Sequence, residues 1–71
     1  MAGAVVAQEN IRGIRRNLDL SQQELAALSG ISREHISRLE HGRCEATLET
    51  LKRITTAFVQ HIDSLIEAAN E

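Results

Sequence analysis

Arg33, Glu34, His35, Ser37 and Arg38 crowd into a stretch whose only apolar residues before Glu40 are Ile36 and Leu39. Their side chains suit the reading of hydrogen-bond donors and acceptors. An arginine fork matches O6 and N7 of guanine, and a glutamate accepts from N4 of cytosine or orients a neighbouring arginine. A serine and a second arginine one turn further on reach either base edges or phosphates. If the stretch is helical, Ile36 and Leu39 share one face and the polar residues keep the other. A helix with such an outer face, held at a set angle by a helix in front of it, is what the major groove of double-stranded DNA accepts.

The residues before it predict the holding helix. Ser21 is placed to cap a helix, with Glu24 three residues on as its capping-box partner. Leu25, Ala26 and Leu28 supply an apolar face, and Ser29-Gly30 ends it, Gly30 being free to take the positive φ of a sharp stop. Ile31 follows as an apolar plug, and Ser32 caps the second helix. Residues 21–40 thus read as helix, turn, helix.

Seventy-one residues make one domain, read as an N-terminal extension over 1–8 and a folded unit over 9–69. A chain this short hides only about 60% of its unfolded surface. With no Trp, no Tyr and one Phe, its core must be aliphatic. The single Cys44 excludes an internal disulfide and fits a reducing compartment. Gly3 to Ala7 is apolar but too brief for a signal peptide or a membrane span, so a soluble, cytoplasmic protein is expected.

The net charge of −2 argues against nucleic acid, but its distribution argues the other way. Residues 1–43 carry Arg12, Arg15, Arg16, Arg33, Arg38 and Arg43 against Glu9, Asp19, Glu24, Glu34 and Glu40. Residues 44–71 carry only Lys52 and Arg53 against Glu45, Glu49, Asp63, Glu67 and Glu71. Cationic charge, almost all arginine, therefore lies in the half that would face DNA.

The remaining elements are read coarsely. Ile11, Ile14 and Leu18 predict a first helix over about 8–17. The two motif helices fall at about 22–28 and 33–40. Thr47 is a plausible cap for a fourth at about 48–58, and Ile62, Leu65, Ile66 and Ala69 stripe a fifth at about 62–69. With no Pro and no alternating run, the fold class is all-α, a compact bundle of five helices.

These residues in this order resemble the lambda-repressor-like helix-turn-helix family, of Cro/repressor type. The resemblance runs from about Ile11 to Ile66, through Ile11, Ile14 and Arg15, Leu20-Ser21-Gln22, Leu25-Ala26, Gly30-Ile31-Ser32, Ile36 to Glu40 and Gly42-Arg43. Leu48, Leu51, Ile54, Ala57, Phe58, Ile62 and Leu65 then fall where the family keeps its last two helices. Two positions depart from the pattern: Asp19 stands for a usual Gly, which an Asp tolerates, and Val59 replaces the Gly after helix four. The resemblance implies base contacts from Arg33, Glu34, Ser37 and Arg38. It implies phosphate contacts from Gln22, which also steadies the start of the recognition helix, and from His35, His41 and Arg43, with the backbone amides of His41 to Arg43 as further donors. It also places Arg15 and Glu40 as a structural ion pair, which if partly buried contributes about 1 kcal/mol or less.

Other chemistries find little support. His41 and Cys44 have ligand-like spacing, but zinc needs three or four protein ligands, so no metal and no cofactor are expected. Nothing supplies a substrate pocket or a phosphate loop, so the chain is not read as an enzyme, and no small-molecule ligand is expected. The reading is a sequence-specific transcriptional regulator acting as a homodimer on a palindromic operator. The alternative is an antitoxin or another protein-interaction module on the same scaffold, although the chain has little spare sequence for a toxin-contacting surface. Small restriction–modification controller proteins and minimal phage repressors are also similar to a chain of this size. The dimer would use Val59, Ile62, Ile66 and Ala69, with Ile62 and Leu65 packing on Leu51, Ile54 and Phe58.

Overall fold

The computed structural model describes residues 8–70, so the expected N-terminal extension lies outside the described residues apart from Gln8, which opens the first helix. Four helices follow one another: α1 (Gln8–Asn17), α2 (Gln22–Ser29), α3 (Arg33–Glu40) and α4 (Leu48–Ala69). No strand occurs among the described residues.

Each boundary has a local cause. Asp19 takes φ 58, letting the N–H of Leu20 turn back to the Arg15 carbonyl at 3.0 Å and close α1. At α2, Ser21 accepts from the Glu24 N–H at 3.0 Å while the Glu24 carboxylate accepts from the Ser21 N–H at 2.8 Å. That backbone hydrogen bond, with the Ser21 hydroxyl, holds the Glu24 carboxyl below the usual carboxylate range. Gly30 ends α2 at φ 73, with its N–H on the Ala26 carbonyl. The buried Ser29 hydroxyl donates to the Leu25 carbonyl at 2.7 Å and accepts from the Ile31 N–H, so it is satisfied as both donor and acceptor in the turn between α2 and α3. Ser32 caps α3 through the His35 N–H, and Thr47 caps α4 through the Thr50 N–H.

The core gathers Ile11 from α1, Leu20, Leu25 and Ala26, Ile31 from the turn, Ile36 and Leu39 from α3, and Ile54, Ala57 and Phe58 from α4. α3 rests on both α1 and α2, and α4 closes the bundle against α2.

Three sequence-based expectations give way here. The expected fourth and fifth helices are one helix of 22 residues. Neither Gly nor Pro falls between Leu48 and Ala69, and Val59 costs only tenths of a kcal/mol where a glycine would have invited a stop. Continuity carries the last three turns straight on, past the core. Ile62 and Leu65 consequently do not fold back on Leu51, Ile54 and Phe58: they are 40% and 49% exposed. On α2, Leu28 turns outward from the core face assigned to it and borders a shallow groove with Arg53 and Thr56. Leu48, at the first turn of α4, is exposed too.

Candidate nucleic-acid interface

α3 is short, and its two inward residues decide its orientation. Ile36 and Leu39 are completely buried, which leaves Arg33, Glu34 and Arg38 exposed and His35 and Ser37 half-buried at the edges of the outer face. Arg33 and Glu34 occupy the first turn, directly after the capped N-terminus. The residues assigned to base contact are therefore brought onto one helix face, with nothing packed over it among the described residues.

The far end of α3 is anchored. Arg15, in the last turn of α1, donates from Nε to Glu40 Oε2 at 2.7 Å and from Nη2 to Oε1 at 3.0 Å. Its Nη1 donates to the Leu20 carbonyl at 2.8 Å, so the guanidinium ties α1, the first turn and α3 together. The two side chains are 11% and 1% exposed. The pair is forked and its side chains are well shielded, although Glu40 as a whole residue is half-buried. Burial alone would raise the Glu40 carboxyl, but hydrogen bonds from Arg15 and Gln22 and the charges of Arg15 and Arg12 outweigh it, and the group is held below its ordinary range.

Gln22 sits at the first position of α2, half-buried, and its Nε2 donates to Glu40 Oε1 at 3.0 Å. Sequence reasoning missed this bond, because it joins two residues 18 apart that only the packed motif brings together. After α3, His41 Nδ1 donates to the Ser37 carbonyl at 2.7 Å, leaving Nε2 as the outward ring nitrogen, and Arg43 is exposed. The amides of His41 to Arg43 are not the phosphate donors expected of them. They donate to the carbonyls of Ser37, Leu39 and Arg38 at 3.1, 3.1 and 2.8 Å, because Gly42 at φ 69 folds the chain back over the C-terminus of α3.

No group of three or more His, Cys, Asp or Glu residues suited to a metal ion occurs among the described residues, and no described helix is long and apolar enough to cross a membrane.

A capped helix, a glycine turn and a second helix with an exposed polar face, braced by a helix on each side, define a helix-turn-helix domain. Residues 11–58 match the helix-turn-helix family HTH_3, and the chain belongs to that family. It is similar to the HTH-type transcriptional regulator y4dJ of Sinorhizobium fredii, 38% identical over 55 residues that cover 76% of this chain and 71% of that protein. It is also similar to the control protein C.SmaI of Serratia marcescens, 33% identical over 61 residues that cover 86% and 73% of the two chains. The antitoxin PezA of Streptococcus pneumoniae is 38% identical over 56 residues, 78% of this chain but only 35% of PezA. No solved structure matches the chain at the same stringency.

Proposed function

We propose that residues 9–69 act as one DNA-binding unit, a sequence-specific transcriptional regulator that binds a palindromic operator as a homodimer. The observation that carries this reading is the outer face of α3: Arg33, Glu34 and Arg38 exposed opposite the buried Ile36 and Leu39, with the helix end braced by Arg15. In this reading Arg33 takes guanine, Glu34 takes cytosine or steadies Arg33, and Ser37 and Arg38 reach the next bases or the backbone. Gln22, His35, His41 through Nε2, and Arg43 contact phosphates and fix the register. The names of y4dJ and C.SmaI support a regulatory role.

One such motif covers few base pairs, so a two-fold dimer matches a palindromic site. The exposed apolar residues Val59, Ile62 and Ile66, with Ala69 beyond them, supply a surface for it on α4. The antitoxin reading draws on PezA, but that likeness spans about a third of PezA, so it supports a shared motif and says little about a toxin-binding part.

The test is binding of the purified chain to duplexes drawn from the DNA upstream of its own gene. Retention of a duplex with an inverted repeat over a scrambled one supports the reading. Equal binding to both, or none, removes it.

A further inference from the structure

Where α4 runs on past its own core, a charge lies on the edge of the apolar stripe it carries. Val59, Ile62 and Ile66 are 51%, 40% and 54% exposed, with Ala69 exposed beyond them. At about 3.6 residues per turn, Leu65 flanks one edge of this stripe about 60° beyond Ile62, and Asp63 flanks the other about 60° beyond Ile66. Leu65 shares its side of the helix with the buried Ile54 and Phe58, so that edge is the one nearer the body of the domain. Asp63 is on the edge away from it. From Val59 to Asn70 the helix carries Asp63 and Glu67 but no Lys or Arg. Neither carboxylate takes part in an ion pair among the described residues. His61 lies on the opposite side of the helix from Asp63, toward Glu24 of α2.

A second copy fits this stripe best in one register. Laid antiparallel, Val59 meets Ala69 of the second copy and Ile62 meets its Ile66, and the two-fold axis repeats both pairs to give an unbroken run of apolar layers. A slide of one heptad toward the core would instead set Lys52 against Ala69 and Thr55 against Ile66. Antiparallel pairing also opposes the two helix dipoles, and it keeps both domain bodies on one side of the helix pair. A two-fold axis across such a pair brings like edges together. Leu65 meets Leu65 of the second copy near the core, and Asp63 meets its own counterpart on the other edge.

We propose that this self-opposed Asp63 is a built-in limit on dimerisation, a like-charge pair on the axis of an antiparallel α4 dimer. The proposal rests on the homodimer reading above and adds its register and its regulation. The half-exposed side chains of one copy offer far less than the about 800 Å2 per partner of a standard interface, so a charge on the edge weighs heavily. Helices packed about 8–10 Å apart hold the two carboxylates within about a Debye length at physiological salt, and Glu67, one turn on, adds charge of the same sign. The repulsion keeps association weak enough to follow the concentration of the chain, so operator occupancy rises steeply with dose.

The test is sedimentation equilibrium of the whole chain at low and high sodium chloride, for wild type, Asp63→Asn and Asp63→Lys, with helix content checked by circular dichroism. We expect Asp63→Asn to dimerise about threefold more tightly than wild type at low salt, and to lose that advantage at high salt. Wild type mixed with isotopically labelled Asp63→Lys should give, in native mass spectrometry, more heterodimer than twice the geometric mean of the two homodimers, the proportion that chance gives. Weaker dimerisation of Asp63→Asn, or mixing at chance proportions, overturns the inference while leaving the dimer reading intact. A wild-type chain that stays monomeric at tens of micromolar overturns the dimer reading and the inference with it.

Discussion

Arg15 and Glu40, 25 residues apart in sequence, form a two-pronged ion pair almost out of contact with water. It joins the helix that precedes the motif to the end of the motif's second helix. Removing one partner would strand the other charge in a desolvated place, which is the expensive way to lose a salt bridge. Arg15→Ala and Glu40→Ala should each cost about 2–4 kcal/mol in urea unfolding, a large share of the stability of so small a domain. Values near those of an exposed pair, below about 1 kcal/mol, would mean the pair is solvated in solution.

The same carboxylate sets an acid limit. The folded state lowers the Glu40 ionisation from the ordinary value of 4.5, so the fold binds fewer protons there than the unfolded chain. Its contribution is complete above about pH 4.5 and is lost as the pH falls through the lower folded value. Denaturation midpoints should stay flat in this respect above about pH 5 and fall below it. Glu40→Gln should be less stable at neutral pH and lose less on acidification. An unchanged acid profile in that variant would assign the limit to other carboxylates.

Two glycines should respond oppositely to alanine. Gly30 sits at φ 73, and an added methyl would meet only Arg53 Nη1 at 3.6 Å, so the cost is conformational. Gly30→Ala should destabilise by about 1–2 kcal/mol. Gly13 lies inside α1 with nothing within 4 Å of the added carbon. Gly13→Ala should stabilise by about 0.5–1 kcal/mol. Thermal unfolding of the pair checks both signs.

What was legible in the sequence was local. Ser21 with Glu24, Gly30, Ser32 and Thr47 carry their own hydrogen-bond logic, and each starts or stops a helix where that logic places it. The inward pair Ile36 and Leu39 follows from helical spacing. Less legible was anything set by packing. Leu28 looks like a core residue, yet it is exposed at the edge of the groove between α2 and α4. The Gln22 bond to Glu40 depends on how two helices meet, and no spacing encodes it. The break expected at Val59 came from a resemblance, whereas the backbone there has no reason to break.

Base and phosphate contacts should separate in mutants. Arg33→Ala should cost about 1–3 kcal/mol on the preferred site and relax base preference at one position per half-site. Arg43→Ala should weaken binding to all duplexes alike and reduce the salt slope by about one. Titrations at several salt concentrations against point-substituted duplexes distinguish the two. If Arg33→Ala bound with unchanged affinity and preference, α3 would not be the reading helix.

The last prediction concerns the end of α4. Val59, Ile62, Leu65 and Ile66 are all about half exposed on a helix that has run past its own core. Val59, Ile62, Ile66 and Ala69 stand at intervals of three, four and three, the spacing of a seam that packs against another helix. A helix tail this exposed gains little beyond propensity, and an isolated stretch this short is marginal in water. Pairing with a second copy would bury the stripe at about 25 cal/mol per Å2 and keep the tail helical. We therefore expect a dimer in sedimentation at tens of micromolar, with helix content that rises with concentration, and recognition helices about 34 Å apart for successive major grooves. Ile66→Glu places a charge in the seam and should yield a folded monomer that has lost helix mainly from the tail and binds the operator more weakly. A wild-type chain that sediments at its monomer mass of 7.9 kDa, with helix content indifferent to concentration, would exclude this interface.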